Sequence, residues 1–132
     1  AKDASADSNR LERSKGVRDM IMACALNSDL RKTMGKGLKV QDYYAEIAPK
    51  LDLSLEEAEQ FDWGIVYYFW LHWGQYASTT KESDMNELEN IVAAFYTHPS
   101  VRLCWEKSPW AKPLLEDRFV IFVDEILARS PD

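Results

Sequence analysis

The chain carries few of the side chains that commonly perform catalysis: two histidines, His72 and His98, and two cysteines, Cys24 and Cys104. Nucleophilic catalysis requires a nucleophile, a base and an orienting acid that the fold brings together. Cys104 follows His98 across a predicted helix start, but it lies on the apolar stripe of that helix, which favours an unreactive buried thiol. For His98, which precedes a proline, a capping or surface role is the simplest interpretation. We therefore predict that the chain is not an enzyme.

The sequence also lacks the common metal-binding and phosphate-binding motifs. Di-iron helical bundles use Glu-x-x-His pairs, but Phe69 and Phe95 lie three residues before the two histidines. There is no His-Glu-x-x-His, Cys-x-x-Cys or calcium-loop pattern. The glycines of 35–37 lack the third glycine of a dinucleotide-binding loop, and the end of a helix explains them better. We expect neither a metal nor a cofactor.

His72 is the titratable residue that most invites a functional interpretation, because it lies among tryptophans and tyrosines. A core histidine satisfied by one hydrogen bond is the simpler interpretation. A pH-sensitive role or a ligand contact is the alternative, because the ordinary pKa of histidine is close to neutral.

The most unusual segment is FDWGIVYYFWLHWGQYA, residues 61–77, in which eight of seventeen residues are aromatic. A helix that is apolar all round is buried either in a protein core or in a membrane. Residues 63–80 carry no charge, yet glycine, glutamine, serine and threonine interrupt the run. The apolar part is about twelve residues, short of the roughly 20 that span a bilayer. The segment therefore predicts a core helix.

A binding surface or a ligand pocket on this helix is the alternative, since buried Tyr hydroxyls and Trp N–H groups need partners. The aromatic and histidine side chains that would form it are Trp63, Tyr67, Trp70, His72, Trp73 and Tyr76.

Helical spacing of apolar residues and helix-capping signals divide the remaining chain into helices. Ser54 and Glu57 match a capping box, which predicts a long helix from Leu55 to about Ser78. The other predicted features are a first helix from about Leu11, a short helix 29–34, a short helix within 38–53 limited by Pro49, a helix capped by Ser83 or Asp84, a short helix 99–107 and a last helix opened by Pro113.

No segment alternates long enough to predict a strand. The pattern predicts an all-α fold, a compact bundle of four main helices plus short helices. Residues 1–10 are expected to be a flexible N-terminal segment, and residues 11–130 a single domain.

The acidic balance of the chain bears on its partners and its location. With 16 basic and 22 acidic residues the formal net charge is −6, which argues against a nucleic-acid backbone as a partner. Two cysteines and no Asn-x-Ser/Thr sequon favour the cytoplasm. The expected partner is another protein or a second copy of the chain.

Near the C-terminus the chain contains P-x-V-R-x-x-W and then F-x-x-F-V-D, formed by Pro99, Val101, Arg102, Trp105, Phe119, Phe122, Val123 and Asp124. With the order of the predicted helices, residues 17–128 resemble a loose group of small bacterial all-helical domains of uncharacterised function. The resemblance implies a membrane helix before Ala1, so that this domain would lie on the cytoplasmic face of a membrane. It implies no activity and no catalytic residues.

Arg102 and Trp105 lie three residues apart on one predicted helix. The Arg102 guanidinium is therefore in a position to approach a facing acid, and Asp124 on the last helix is the candidate partner. These three residues are expected to join the two helices, which is a structural role.

Together these features predict a non-enzymatic helical interaction domain, tethered to a membrane if the resemblance holds, that acts through protein–protein contacts. Aromatic side chains are enriched where interfaces carry most of their energy. The alternative is a small-molecule binding domain with an aromatic pocket around His72. An enzyme that uses a histidine with a nearby carboxylate, and an acidic mimic of nucleic acid, rank below these two.

Overall fold

A computed structural model describes residues 4–35 and 40–129 of the 132-residue chain. These residues form seven helices and no strand. The helices are α1 (Ala4–Leu26), α2 (Ser28–Gly35), α3 (Gln41–Leu51), α4 (Leu55–Ser78), α5 (Glu82–Tyr96), α6 (Pro99–Lys107) and α7 (Asp117–Arg129). Four of them are long and three are short, which confirms the predicted all-α bundle.

The central element is α4, which packs against α1, α3, α5 and α6. Its first residues are fixed by the capping box that the sequence predicts. The backbone N–H of Glu57 donates to Ser54 Oγ at 3.1 Å, and the backbone N–H of Ser54 donates to Glu57 Oε1 at 2.9 Å. Because two backbone donors at the helix start are satisfied locally, α4 begins where the sequence places it.

The bundle has one large core and one small core. The large core joins α4 to α1, α5, α6 and α7, and its largest completely buried side chains include Trp63, Phe69, Tyr96, Trp105 and Phe119. The small core lies where α3 covers the start of α4 and consists of Val40, Tyr44, Ile47, Ala48 and Ala58. The apolar part of α4 is therefore a core helix, as its length predicts.

Side chains cap the starts of two other helices. The α2 backbone N–H of Leu30 donates to the side chain of Asn27 at 3.0 Å, so Asn27 caps the start of α2. In α6, His98 is the N-cap residue, and its Nδ1 accepts from the backbone N–H of Ser100 at 3.3 Å. The capping role for His98 is therefore observed.

Three predicted helix starts differ from those in the structure. The first helix begins at Ala4, earlier than the predicted start near Leu11. The N-cap of α5 is Lys81, with no side-chain cap, where Ser83 or Asp84 was expected. Glu82 and Asp84 instead place negative charge in the first turn, where the helix dipole favours it.

The third difference is at Pro113, which does not open α7. The backbone N–H groups of Leu114 and Leu115 both donate to the Ala111 carbonyl, so Pro113 lies inside a separate turn. The final helix begins only at Asp117, where the Glu116 carbonyl accepts from Phe119 and Val120.

The proline in α3 also behaves differently from the prediction. Pro49 lies inside the helix, which ends only at Leu51. Helix termination comes from Asp52, whose φ of 56° places it in the left-handed region. The backbone N–H of Leu53 then donates to the Ala48 carbonyl at 3.0 Å, and that of Asp52 donates to the Pro49 carbonyl at 3.2 Å, as in a Schellman cap.

Replacing Asp52 with glycine is expected to raise the free energy of unfolding by about 0.5 kcal/mol, because glycine adopts the left-handed region without a Cβ penalty. Urea unfolding followed by tryptophan fluorescence measures the change. The control is Asp42→Gly in the first turn of the same helix, which should lower the free energy of unfolding by up to about 1 kcal/mol. A loss of stability in Asp52→Gly would contradict the capping role.

Candidate functional site

The six residues predicted to form a binding surface lie on different sides of α4. Trp63 is buried and packs on Trp110 with ring centroids 4.8 Å apart. Trp70 donates its indole N–H to the Trp110 backbone carbonyl at 3.1 Å. Trp73 Nε1 donates to Glu116 Oε2 at 3.3 Å. The three tryptophans therefore bind the segment between α6 and α7.

The other three members make different contacts. Tyr76 packs on Phe122 of α7 with ring centroids 4.9 Å apart, and Tyr67 lies edge-on to Tyr68 of its own helix at 5.4 Å. His72 lies among Tyr68 and two α5 rings. The predicted set is thus distributed through the core and does not surround one pocket.

His72 is 7% exposed, and its Nδ1 lies 3.0 Å from Tyr96 Oη. Burial lowers the pKa of His72 to about 4, because the charged imidazolium is poorly solvated there. The ring is therefore neutral at pH 7. The geometry is that of a core histidine satisfied by one hydrogen bond.

Asp124 joins α6 to α7, but through other donors than the one predicted. Trp105 Nε1 donates to Asp124 Oδ1 at 2.9 Å, and Lys112 Nζ lies 3.1 Å from the same oxygen. Lys112 also pairs with Glu106 at 2.9 Å. Arg102 lines a cleft on the outer face of α6 instead. Trp105 and Asp124 join the two helices, and Lys112 supplies the positive charge that was expected from Arg102.

Asp62 follows three acidic residues near the start of α4, and its side chain is completely buried. Two tyrosine hydroxyls of α3 donate to it, Tyr43 Oη to Oδ1 at 2.6 Å and Tyr44 Oη to Oδ2 at 3.1 Å. Ser108 Oγ donates to Oδ2 at 3.1 Å, and Trp110 Nε1 donates to the Tyr44 hydroxyl at 3.3 Å. We call these five residues the Asp62 network.

Burial raises the pKa of Asp62 to about 6, and the hydroxyl donors oppose that rise by stabilising the charged form. Burial raises the pKa of the nearby Cys104 thiol, and the charge of Asp62 raises it further. The network joins α3, α4 and the turn after α6. These hydrogen bonds connect the three elements. The Asp62 carboxylate has no exposed surface, so a substrate has no access to it.

A signal for the network is present in the sequence. Asp62 lies on the same stripe of α4 as Ala58, Val66, Phe69 and Trp73, and all of these residues are buried. A single charged residue within an otherwise apolar stripe indicates a buried, hydrogen-bonded charge.

A groove lies along the outer side of α4. Two hollows of about 440 and 330 Å³ meet at Phe61 and Ile65, which line both. Gly64 leaves the floor open, because a Cβ placed there would meet no heavy atom within 4 Å. Tyr68 is 46% exposed at one side. The remaining lining residues of this α4 groove are Leu53, Glu57, Gln60, Ala94, Phe95, His98, Ser100 and Val101.

The described residues define a seven-helix domain with an apolar surface groove and a buried polar network. Within residues 4–35 and 40–129, each helix is too short or too polar to span a lipid bilayer. No cluster of three or more His, Cys, Asp or Glu side chains in that part of the chain is placed to hold a metal ion. Comparisons with protein-family models, curated proteins and solved structures found no match.

Proposed function

We propose that this chain is a non-enzymatic interaction domain that binds an apolar helix of a partner protein in the α4 groove. The observation that carries the proposal is a partly exposed apolar strip of α4. Phe61, Gly64, Ile65 and Tyr68 follow the i, i+3, i+4, i+7 spacing of one helical face, and all four keep exposed surface in the groove. Unpaired apolar strips of this kind receive amphipathic helices in known complexes.

The chemistry of the groove rim specifies the partner further. Gly64 lets the backbone of an approaching helix come close. Glu57 is an exposed acid at one end, and the chain as a whole carries a net charge of −6. We therefore expect a helix with apolar residues at i, i+3 and i+4 and a basic residue facing Glu57.

The cytoplasm is the proposed location. Both cysteines are buried free thiols, and the sequence has no glycosylation sequon. Free thiols persist in reducing compartments.

Photo-cross-linking tests the proposal. A photoreactive amino acid replaces Tyr68, and in the control it replaces Ile121, an exposed α7 residue that does not line the groove. The proposal is supported if position 68 cross-links to an apolar helical segment of a partner that bears a basic residue. The Gly64→Leu substitution must also abolish this cross-linked product. A product at twice the mass of the chain would identify a second copy instead. Equal yields from both positions, or no product, would contradict a specific groove.

Gly64→Ala provides the control for folding. Glycine inside a helix costs up to about 1 kcal/mol relative to alanine, and both Gly64 and Gly16 have room for a Cβ. Each alanine variant is therefore expected to raise the free energy of unfolding by up to about 1 kcal/mol. A stable Gly64→Ala variant shows that loss of binding in Gly64→Leu reflects a filled groove. A destabilised Gly64→Ala variant would show that the groove floor is not open.

A further inference from the structure

The outer face of α6 forms a second hollow, which shares no lining residue with the α4 groove. It has a volume of about 600 Å³, within the range of small-molecule sites. We call it the α6 cleft, and its lining residues are Thr97, Pro99, Arg102, Leu103, Glu106 and Lys107. Pro99, Leu103 and the stem of Arg102 make its surface mostly apolar.

Two charged residues at its rim, Lys107 and Glu106, form ion pairs with neighbours outside the cleft. Lys107 Nζ lies 2.7 Å from Glu46 Oε1, and Glu106 Oε2 lies 2.9 Å from Lys112 Nζ. Arg102 differs from both, because its guanidinium makes no ion pair or hydrogen bond with the residues that the structure describes. One unpaired positive charge therefore remains beside an apolar surface.

We propose that the α6 cleft binds a small organic monocarboxylate with an apolar body. A guanidinium matches the two oxygens of a carboxylate with two parallel N–H donors. A single unpaired guanidinium balances one negative charge, so a monocarboxylate matches it better than a dianion such as a phosphate ester. Pro99 and Leu103 provide the contact for the apolar body. This proposal does not depend on a protein partner in the α4 groove.

The test compares octanoate with octanamide, which has the same chain but no charge. Each is titrated into the full chain while backbone amide shifts are recorded by NMR. Octanoate is expected to bind saturably, about tenfold or more tighter than octanamide, with the largest shifts at 97–107. Arg102→Gln should abolish the preference for octanoate. Arg118→Gln, which removes an exposed charge on α7, should leave it unchanged.

Equal affinities for octanoate and octanamide in the wild-type protein would overturn the proposal, as would no saturable binding of octanoate. A preference for octanoate that persists in Arg102→Gln would also overturn the proposal. The same holds if the largest NMR shifts occur around the α4 groove. The comparison of the two ligands in the wild-type protein decides the result even if a variant is unstable.

Discussion

Substituting Asp62 with alanine is expected to lower the free energy of unfolding by about 3 kcal/mol, because two buried hydroxyls and one partly buried hydroxyl lose their acceptor. Two of the hydroxyls belong to Tyr43 and Tyr44 of α3, and the third belongs to Ser108 after α6. Desolvated polar groups without partners cost more than the removed hydrogen bonds contribute. Urea unfolding of the variant, followed by tryptophan fluorescence, gives the change.

Two variants separate the hydrogen bonds from general effects of substitution. Asp62→Asn keeps the shape and one acceptor oxygen, so its loss should be clearly smaller, about 1 kcal/mol. Glu125→Ala removes an exposed acid on α7, and its effect should be within about 0.5 kcal/mol. If Asp62→Ala is as stable as Glu125→Ala, the Asp62 network does not hold the helices together.

The second prediction is that two buried residues give stability opposite dependences on pH. Burial raises the pKa of Asp62 from 3.8 to about 6. Between these values the folded state holds the proton and the unfolded state does not, so acidification stabilises the fold through Asp62. The gain is complete below pH 3.8, and it is lost as the pH rises to about 6.

His72 acts in the opposite direction. Burial lowers its pKa from 6.5 to about 4. Between these values the unfolded state binds a proton that the folded state does not, so acidification destabilises the fold through His72. Each of these changes in pKa corresponds to roughly 3 kcal/mol. The two contributions largely cancel in the wild-type protein between about pH 4 and 6.5.

Replacing one residue at a time should reveal the contributions of Asp62 and His72 to the pH dependence of stability. Relative to wild type, Asp62→Asn is expected to lose up to about 3 kcal/mol more on going from pH 7 to pH 4. His72→Gln, which keeps a polar group facing Tyr96, should gain a comparable amount. The measurement is the free energy of unfolding at several pH values for the three proteins. Identical pH profiles would show that neither residue changes its pKa on folding.

Local signals account for the parts of the fold that the sequence predicts well. The capping box of Ser54 and Glu57 needs only residues three apart, and α4 begins at Leu55 as predicted. Helix α6 likewise matches, because Pro99 suits a first helical position. Pro113 shows the limit of such signals, since the same preference did not start a helix there.

Contacts between distant residues explain what the sequence interpretation missed. The donors to Asp62 lie 18 to 46 residues away along the chain, so only the assembled bundle brings them together. Lys112 replaced Arg102 as the charged partner of Asp124 for the same reason. The aromatic residues of α4 were correctly placed in a core, but which rings remain at the surface depends on what α5 and α6 cover.

The two buried cysteines allow local opening of the fold to be measured by thiol modification. Cys24 on α1 and Cys104 on α6 are both completely buried free thiols. A thiol-specific reagent can modify each one only when the surrounding structure transiently opens, so the modification rates measure local opening free energies. Cys104 borders Asp62, whereas Cys24 belongs to the α1 side of the large core. Unequal modification rates of the two cysteines would show that α1 and the region joined by Asp62 open as separate cooperative units. Equal rates would show that the bundle opens as a whole.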